Sequence, residues 1–118
     1  LSFLHDTNGL LLRPILRGSL TIVLIDNRGG GIFEHLPVAQ FDPPFEQFFA
    51  TPQAVDFAAL CAAHGVAYVP VADWAQFTAL LATLPPQGVR VLAVPTDRKR
   101  DAAWRQRTLA AAAAPLPA

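Results

Sequence analysis

Asn27 stands two residues before the run Gly29-Gly30-Gly31, at the end of the apolar stretch Leu20–Ile25. Its side chain offers a neutral amide oxygen, and glycine carbonyls offer further oxygens with no side chain in the way. Hard donors of this kind suit Mg²⁺, which keeps near-octahedral geometry, takes few protein ligands and shares the rest with phosphates. Three successive glycines fit the close approach of backbone to a ligand, although a plain turn could use them too. The other half of such a site lies at Leu1 and Ser2, read as the start of a helix. Free N–H groups and the positive end of the helix dipole would suit a diphosphate there. A carboxylate immediately ahead of Leu1 would complete the metal ligands.

No other set of residues carries chemistry as well. His5, His35 and His64 have no mutual spacing that fits ligation or a triad, and only His35, beside the glycine segment, merits a test. Cys61 reads as a small core residue. "DRKRD", Asp97 to Asp101, reads as a solvated helix start rather than a phosphate site. Among the 118 residues, nine basic and nine acidic side chains cancel, so the electrostatic footprint of a nucleic-acid or anionic-membrane binder is missing. No apolar run reaches the roughly 18 to 20 residues of a membrane-spanning helix. One cysteine, with no Cys/His cluster at zinc spacing, fits a reducing cytoplasm. The chain opens on Leu1 within an apolar pattern and holds no methionine, so it reads as a piece of a longer protein.

The elements that must position these residues follow from periodicity. Leu1, Leu4, Leu11 and Leu12 fall near helical spacing, with Asn8–Gly9 a blemish in that helix. Leu20–Ile25 reads as a strand buried on both faces of a parallel sheet. The aromatic, proline-marked stretch 29–53 reads as irregular, with a helical turn near Phe45–Phe49, and long loops of this kind are often functional. Asp56 caps a helix carrying Phe57, Leu60, Cys61 and His64 that stops at Gly65. Val66–Val71 is a short strand. Asp73 caps a helix with an apolar stripe of Trp74, Phe77, Leu80, Leu81 and Leu84, ended by Pro85–Pro86. Arg90–Pro95 is a third strand, and Asp97 caps a last helix through Trp104 and Leu109. The order predicts an α/β fold, a parallel sheet flanked by helices on both faces. Three strands make a thin sheet, and one edge is expected to continue into strands outside this chain.

Four stretches, "LSFLHDTNGLLL", "NRGGGIFEHLP", "FEQFFATPQAVDFAAL" and "VPTDR", resemble the C-terminal part of the 2-succinyl-5-enolpyruvyl-6-hydroxy-3-cyclohexene-1-carboxylate synthase (MenD) family. They are in the same order and span Leu1 to about Leu109. The resemblance implies that residues 1–109 are the C-terminal part of a thiamine-diphosphate pyrophosphate-binding domain. Residues 110–118 then form a Pro/Ala-rich tail, expected to be disordered.

The resemblance also implies roles. Asn27 gives its side-chain oxygen, and Gly29 its backbone carbonyl, to Mg²⁺ or Mn²⁺. Leu1, Ser2 and Gly30 join Asn27 and Gly29 in binding thiamine diphosphate, with Leu1 and Ser2 presenting backbone groups to the diphosphate. Ile32, Phe33 and Leu36 form an apolar wall near the reacting atoms, although Ile32 and Phe33 also read as ordinary core residues. Asp26 departs from the Asn often found there and is expected to point away from the diphosphate or pair with an arginine. The implied reaction decarboxylates 2-oxoglutarate and adds the resulting carbanion to isochorismate, in menaquinone or phylloquinone biosynthesis. The parent is expected to be a cytoplasmic homodimer or homotetramer, and the isolated chain to be inactive and self-associating. Two alternatives remain open: another thiamine-diphosphate carboligase, acetohydroxyacid-synthase-like, or a non-enzymatic receiver-like signalling domain using Asp26 and Lys99.

Overall fold

The computed structural model describes residues 1–113. Its elements form two compact units: Leu1–Asp26 with Ala54–Pro95, and Asn27–Gln53 with the described residues from Thr96 on.

The first unit is built on a three-stranded parallel sheet of β1 (Ser19–Asp26), β2 (Ala67–Pro70) and β3 (Gly88–Pro95), in the order β1-β3-β2. Ser19 registers with Gly88 and Asp26 with Pro95, while Ala67 registers with Arg90. The last strand in sequence is therefore central. Accordingly β3 is buried on both faces, with Val91 and Leu92 fully enclosed and Ala93 nearly so. One face of it, Val89, Val91 and Ala93, packs with Leu10, Leu24, Cys61 and Val66 into the core. On the other face Arg90 reaches the end of α3 (Trp74–Ala82). Its guanidinium donates to the carbonyls of Leu80 at 2.7 Å and Thr83 at 3.3 Å, where a helix leaves acceptors unsatisfied. Nε of the same side chain donates to Thr21 Oγ1 of β1 at 2.9 Å.

Helices flank the sheet as the alternation predicted, and both caps in this unit form. Asp56 accepts from the Ala59 N–H at 2.9 Å to start α2 (Phe57–Ala63). Asp73 accepts from Gln76 N–H at 2.7 Å to start α3. Cys61 is fully buried, and that burial pushes its thiol pKa up. It is a core residue, as read.

Three expectations need correction. The first helix is a single α-turn, α1 (Ser2–His5), followed by a 3₁₀ stretch from Thr7 to Ile15. Gly9 disfavours the α-helix, and Pro14 has no N–H to donate. The rotation per residue changes with the helix type, so Leu10 enters the core while Leu11 and Leu12 are exposed. Strand β1 is covered on one face only: Leu24 is buried, whereas Val23 and Ile25 on the opposite face are 40% and 55% exposed. It is an edge strand, and its continuous apolar run does not mean two-sided burial here. Finally, the α3 stripe is half realised, because Phe77 and Leu80 are half-buried while Trp74, Leu81 and Leu84 are exposed.

The second unit has no sheet among its described residues. It consists of 3₁₀ turns at Gly31–His35 and Pro37–Gln40, a wide π-turn at Glu46–Ala50, and α4 (Arg98–Ala112). The π-turn closes where Thr51 N–H donates to Glu46 O at 2.9 Å, with Thr51 left-handed at φ 39°. Phe45 is its buried centre, stacked on Phe49 at 6.2 Å, and Phe49 in turn meets Phe33 edge-on at 6.0 Å. Asp97 caps α4 by accepting from Arg100 N–H at 2.8 Å. This helix runs through Ala112, so the first residues of the expected disordered tail are helical, and residues 114–118 lie outside the described residues.

Candidate functional site

The second unit opens with Asn27, and the local geometry of its loop follows from residue type. Asn27 Oδ1 accepts the N–H of Gly29 at 3.2 Å, an Asx turn that bends the chain over Arg28. Arg28 takes up the left-handed conformation, φ 56°, that this bend requires. Next, Gly31 N–H donates to the Gly29 carbonyl at 3.0 Å, and Gly30 N–H donates to the Ala50 carbonyl at 2.7 Å. The glycine loop is thus fastened to the end of the π-turn.

Close approach explains the glycines. A Cβ on Gly29 would stand 2.5 Å from the Ala50 carbonyl oxygen, a contact that backbone cannot relieve. One on Gly31 would stand 2.6 Å from the Asn27 amide nitrogen. Gly29 and Gly30 are buried, and no side chain fits where they lie. The two oxygens assigned to a metal, Asn27 Oδ1 and Gly29 O, each accept one backbone hydrogen bond here. Each has a second lone pair for a cation. An amide and a carbonyl oxygen are the donor chemistry that Mg²⁺ accepts. Two such donors are a partial set, and no group of three His, Cys, Asp or Glu that could hold a metal occurs among the described residues.

Other expected site residues are spread differently. Ile32 is 75% exposed and Leu36 about half exposed, so both are available at the surface, whereas Phe33 packs against Phe49. His35 is exposed beside Leu36. Leu1 and Ser2 belong to the first unit. Leu1 is the N-cap of α1, and its carbonyl accepts from Leu4 and His5 N–H at 2.9 and 3.1 Å. A helix of one turn has little macrodipole, which leaves only backbone N–H groups to carry the expected role.

Sequence reasoning missed one charged cluster. Arg98, read as part of a solvated helix start, is instead almost enclosed, its side chain 12% exposed. Its guanidinium forms ion pairs with Glu34 and with Glu46 through separate nitrogens. Lys99 Nζ adds Glu46 Oε1 at 2.9 Å and Asp42 at 3.7 Å. Hydrogen bonds from Lys99 and Arg98 hold the Glu46 carboxyl below its ordinary pKa. Burial alone would lower the pKa of Arg98, but its bonds to Glu46 and Glu34 carry it above the usual arginine value. The partners are 64 and 52 positions away in sequence, and local patterning carries no signal of them. Lys99 pairs with the Glu46 and Asp42 carboxylates while more than half of its side chain stays exposed.

The chain is 57% identical over 110 residues to the 2-succinyl-5-enolpyruvyl-6-hydroxy-3-cyclohexene-1-carboxylate synthase of Thermosynechococcus vestitus, a match covering 93% of this chain. Over the matched span the chain is similar to this synthase. Synthases of the same name from Synechococcus elongatus, 56% identical over 97% of the chain, and Rippkaea orientalis, 53% over 92%, agree. The chain spans about one fifth of the length of these curated relatives, 20%, 20% and 18% respectively. No family model matches it. The synthase resemblance expected from the four quoted stretches therefore holds across nearly the whole chain.

Proposed function

We propose that this chain supplies the metal-binding loop and part of the diphosphate contacts of a thiamine-diphosphate-dependent synthase that condenses 2-oxoglutarate with isochorismate in quinone biosynthesis. The observation that carries the reading is the Asn27–Gly31 loop. One side-chain and one backbone oxygen, each with a spare lone pair, belong to a loop fixed by the Asn27 turn and the Ala50 carbonyl.

In this reading Asn27 Oδ1 and Gly29 O bind Mg²⁺ or Mn²⁺, and buried Gly30 keeps the loop clear of side chains. Leu1 and Ser2 offer backbone N–H groups to the diphosphate. Thiamine diphosphate, when bound, supplies the carbon nucleophile and electron sink needed to decarboxylate a 2-oxo acid. Ile32, Phe33 and Leu36 contribute an apolar wall that excludes water, and the drier medium strengthens the electrostatic interactions inside it. The cofactor's activating carboxylate and the cations for the substrate carboxylates come from the rest of the synthase. The isolated chain is accordingly inactive, and the working enzyme is a cytoplasmic homodimer or homotetramer.

The test uses the synthase carrying this chain, supplied with thiamine diphosphate, Mg²⁺ and 2-oxoglutarate, following carbon dioxide release with and without isochorismate. Release that depends on 2-oxoglutarate and consumes isochorismate is expected, and Asn27→Ala should abolish it unless metal is raised greatly. Turnover of pyruvate instead would move the protein to another carboligase class.

A further inference from the structure

Arg98 touches both sides of the glycine loop. One guanidinium nitrogen binds Glu34, in the turn that follows the glycines, and the other binds Glu46, which opens the π-turn ending at Ala50. The carbonyl of Ala50 accepts Gly30 N–H and limits Gly29 to glycine. The arginine stem covers the loop itself: its Nε lies 3.6 Å from where a Cβ on Gly29 would be, and its Cβ 3.3 Å from the corresponding point on Gly31. A side chain fixed by two carboxylates is thus packed against the backbone that presents Gly29 O.

We infer that Arg98 is a positioning residue for the metal loop, acting through Glu34 and Glu46 rather than by touching metal or substrate. This rests on the reading of Asn27 and Gly29 as metal donors. Two features favour that role over simple surface pairing. The Glu34 side chain is only 9% exposed, so an unpaired carboxylate there would be costly, and the loop turn would move to hydrate it. Arginine binds two carboxylates through separate nitrogens of a fixed planar fork, whereas lysine offers a single point charge with no fixed direction. The pairing also neutralises acidic groups next to a loop assigned to an anionic cofactor, where free carboxylates would repel it. Supporting groups of this kind set metal affinity by fixing ligand orientation, with losses of about 10–100-fold when removed.

The experiment compares wild type, Arg98→Gln, Arg98→Lys, Glu46→Gln and Asn27→Ala in the synthase carrying this chain. It measures Mn²⁺ dissociation constants by electron paramagnetic resonance titration with thiamine diphosphate present, and thermal midpoints alongside. Arg98→Gln should weaken Mn²⁺ binding about 10-fold or more, with kcat at saturating metal and cofactor changed only a few-fold. Arg98→Lys should recover part of the affinity, because it restores charge without the fork. Glu46→Gln, at a partly exposed carboxylate, keeps the test open should Arg98→Gln fail to fold, and should weaken Mn²⁺ binding several-fold. Unchanged Mn²⁺ affinity in folded Arg98→Gln, or in Glu46→Gln should that variant alone fold, overturns the inference. So does full recovery by lysine. If Asn27→Ala also leaves Mn²⁺ affinity intact, the reading of the loop as a metal site fails as well. Loss in Asn27→Ala without loss in the Arg98 and Glu46 variants sinks only the role of Arg98.

Discussion

Val91 and Leu92 in the first unit and Arg98 in the second do the same structural job by different physics. The two aliphatic residues lie on opposite faces of the central strand, fully buried, and hold their unit by removing apolar area from water. Arg98 joins Glu34 and Glu46, two segments with no sheet or long helix of their own, by charge-assisted hydrogen bonds. Burial is non-directional and tolerant of backbone detail. An ion pair with two fixed partners is directional, and so can hold a carbonyl such as Gly29 O at one orientation. The first unit is thus held mainly by apolar burial around β3, and the second adds a directional charge network to its buried Phe45.

That contrast can be broken or sharpened. Leu92→Ala should have the largest effect, about 2–5 kcal/mol lost from stability, seen as a lower midpoint in urea. A loss under about 1 kcal/mol would show that β3 is not the mainstay. Gly29→Ala should cost about 1–3 kcal/mol as an overpacking change against the Ala50 carbonyl, and hydrogen exchange should localise the disturbance to residues 27–53. A uniform change in both units would erase the distinction. Acid should separate the units more gently. The Glu46 pKa is depressed by Lys99 and Arg98, so its contribution is fully present above the ordinary glutamate value of 4.5 and is lost as pH falls through the lower folded value. Hydrogen exchange below that pH should speed up in the second unit before the Val91 and Leu92 amides respond, and simultaneous loss would contradict this. Ile32→Ala should have the smallest effect on stability, within about 0.5 kcal/mol, because the side chain is exposed. Lower turnover of the synthase at unchanged stability would support its place in the apolar wall.

Helix caps, strands and the α/β order were legible because they depend on neighbours in sequence. Asp56, Asp73 and Asp97 each accept the N–H three residues on, as their positions at the expected helix starts implied. Asn27 and the glycines were legible for the same reason, since the turn joining Asn27 to Gly29 spans two residues. What failed needed knowledge of distant partners. Whether Leu20–Ile25 is covered on one face or two depends on its edge position, which the register with β3 decides. The 3₁₀ stretch between Thr7 and Ile15 is the exception, a local effect of Gly9 and Pro14, and it put Leu10 rather than Leu11 or Leu12 into the core.

The sequence by itself determined the class of fold, the caps, the loop that can present oxygens to a cation and the synthase resemblance, all carried by short-range patterns. Only the tertiary structure decided which strand is central and which faces are buried. It also decided that Arg98 meets Glu34 and Glu46. Those outcomes arise from contacts between residues tens of positions apart, whose energy depends on distance in space and leaves no periodic trace along the chain.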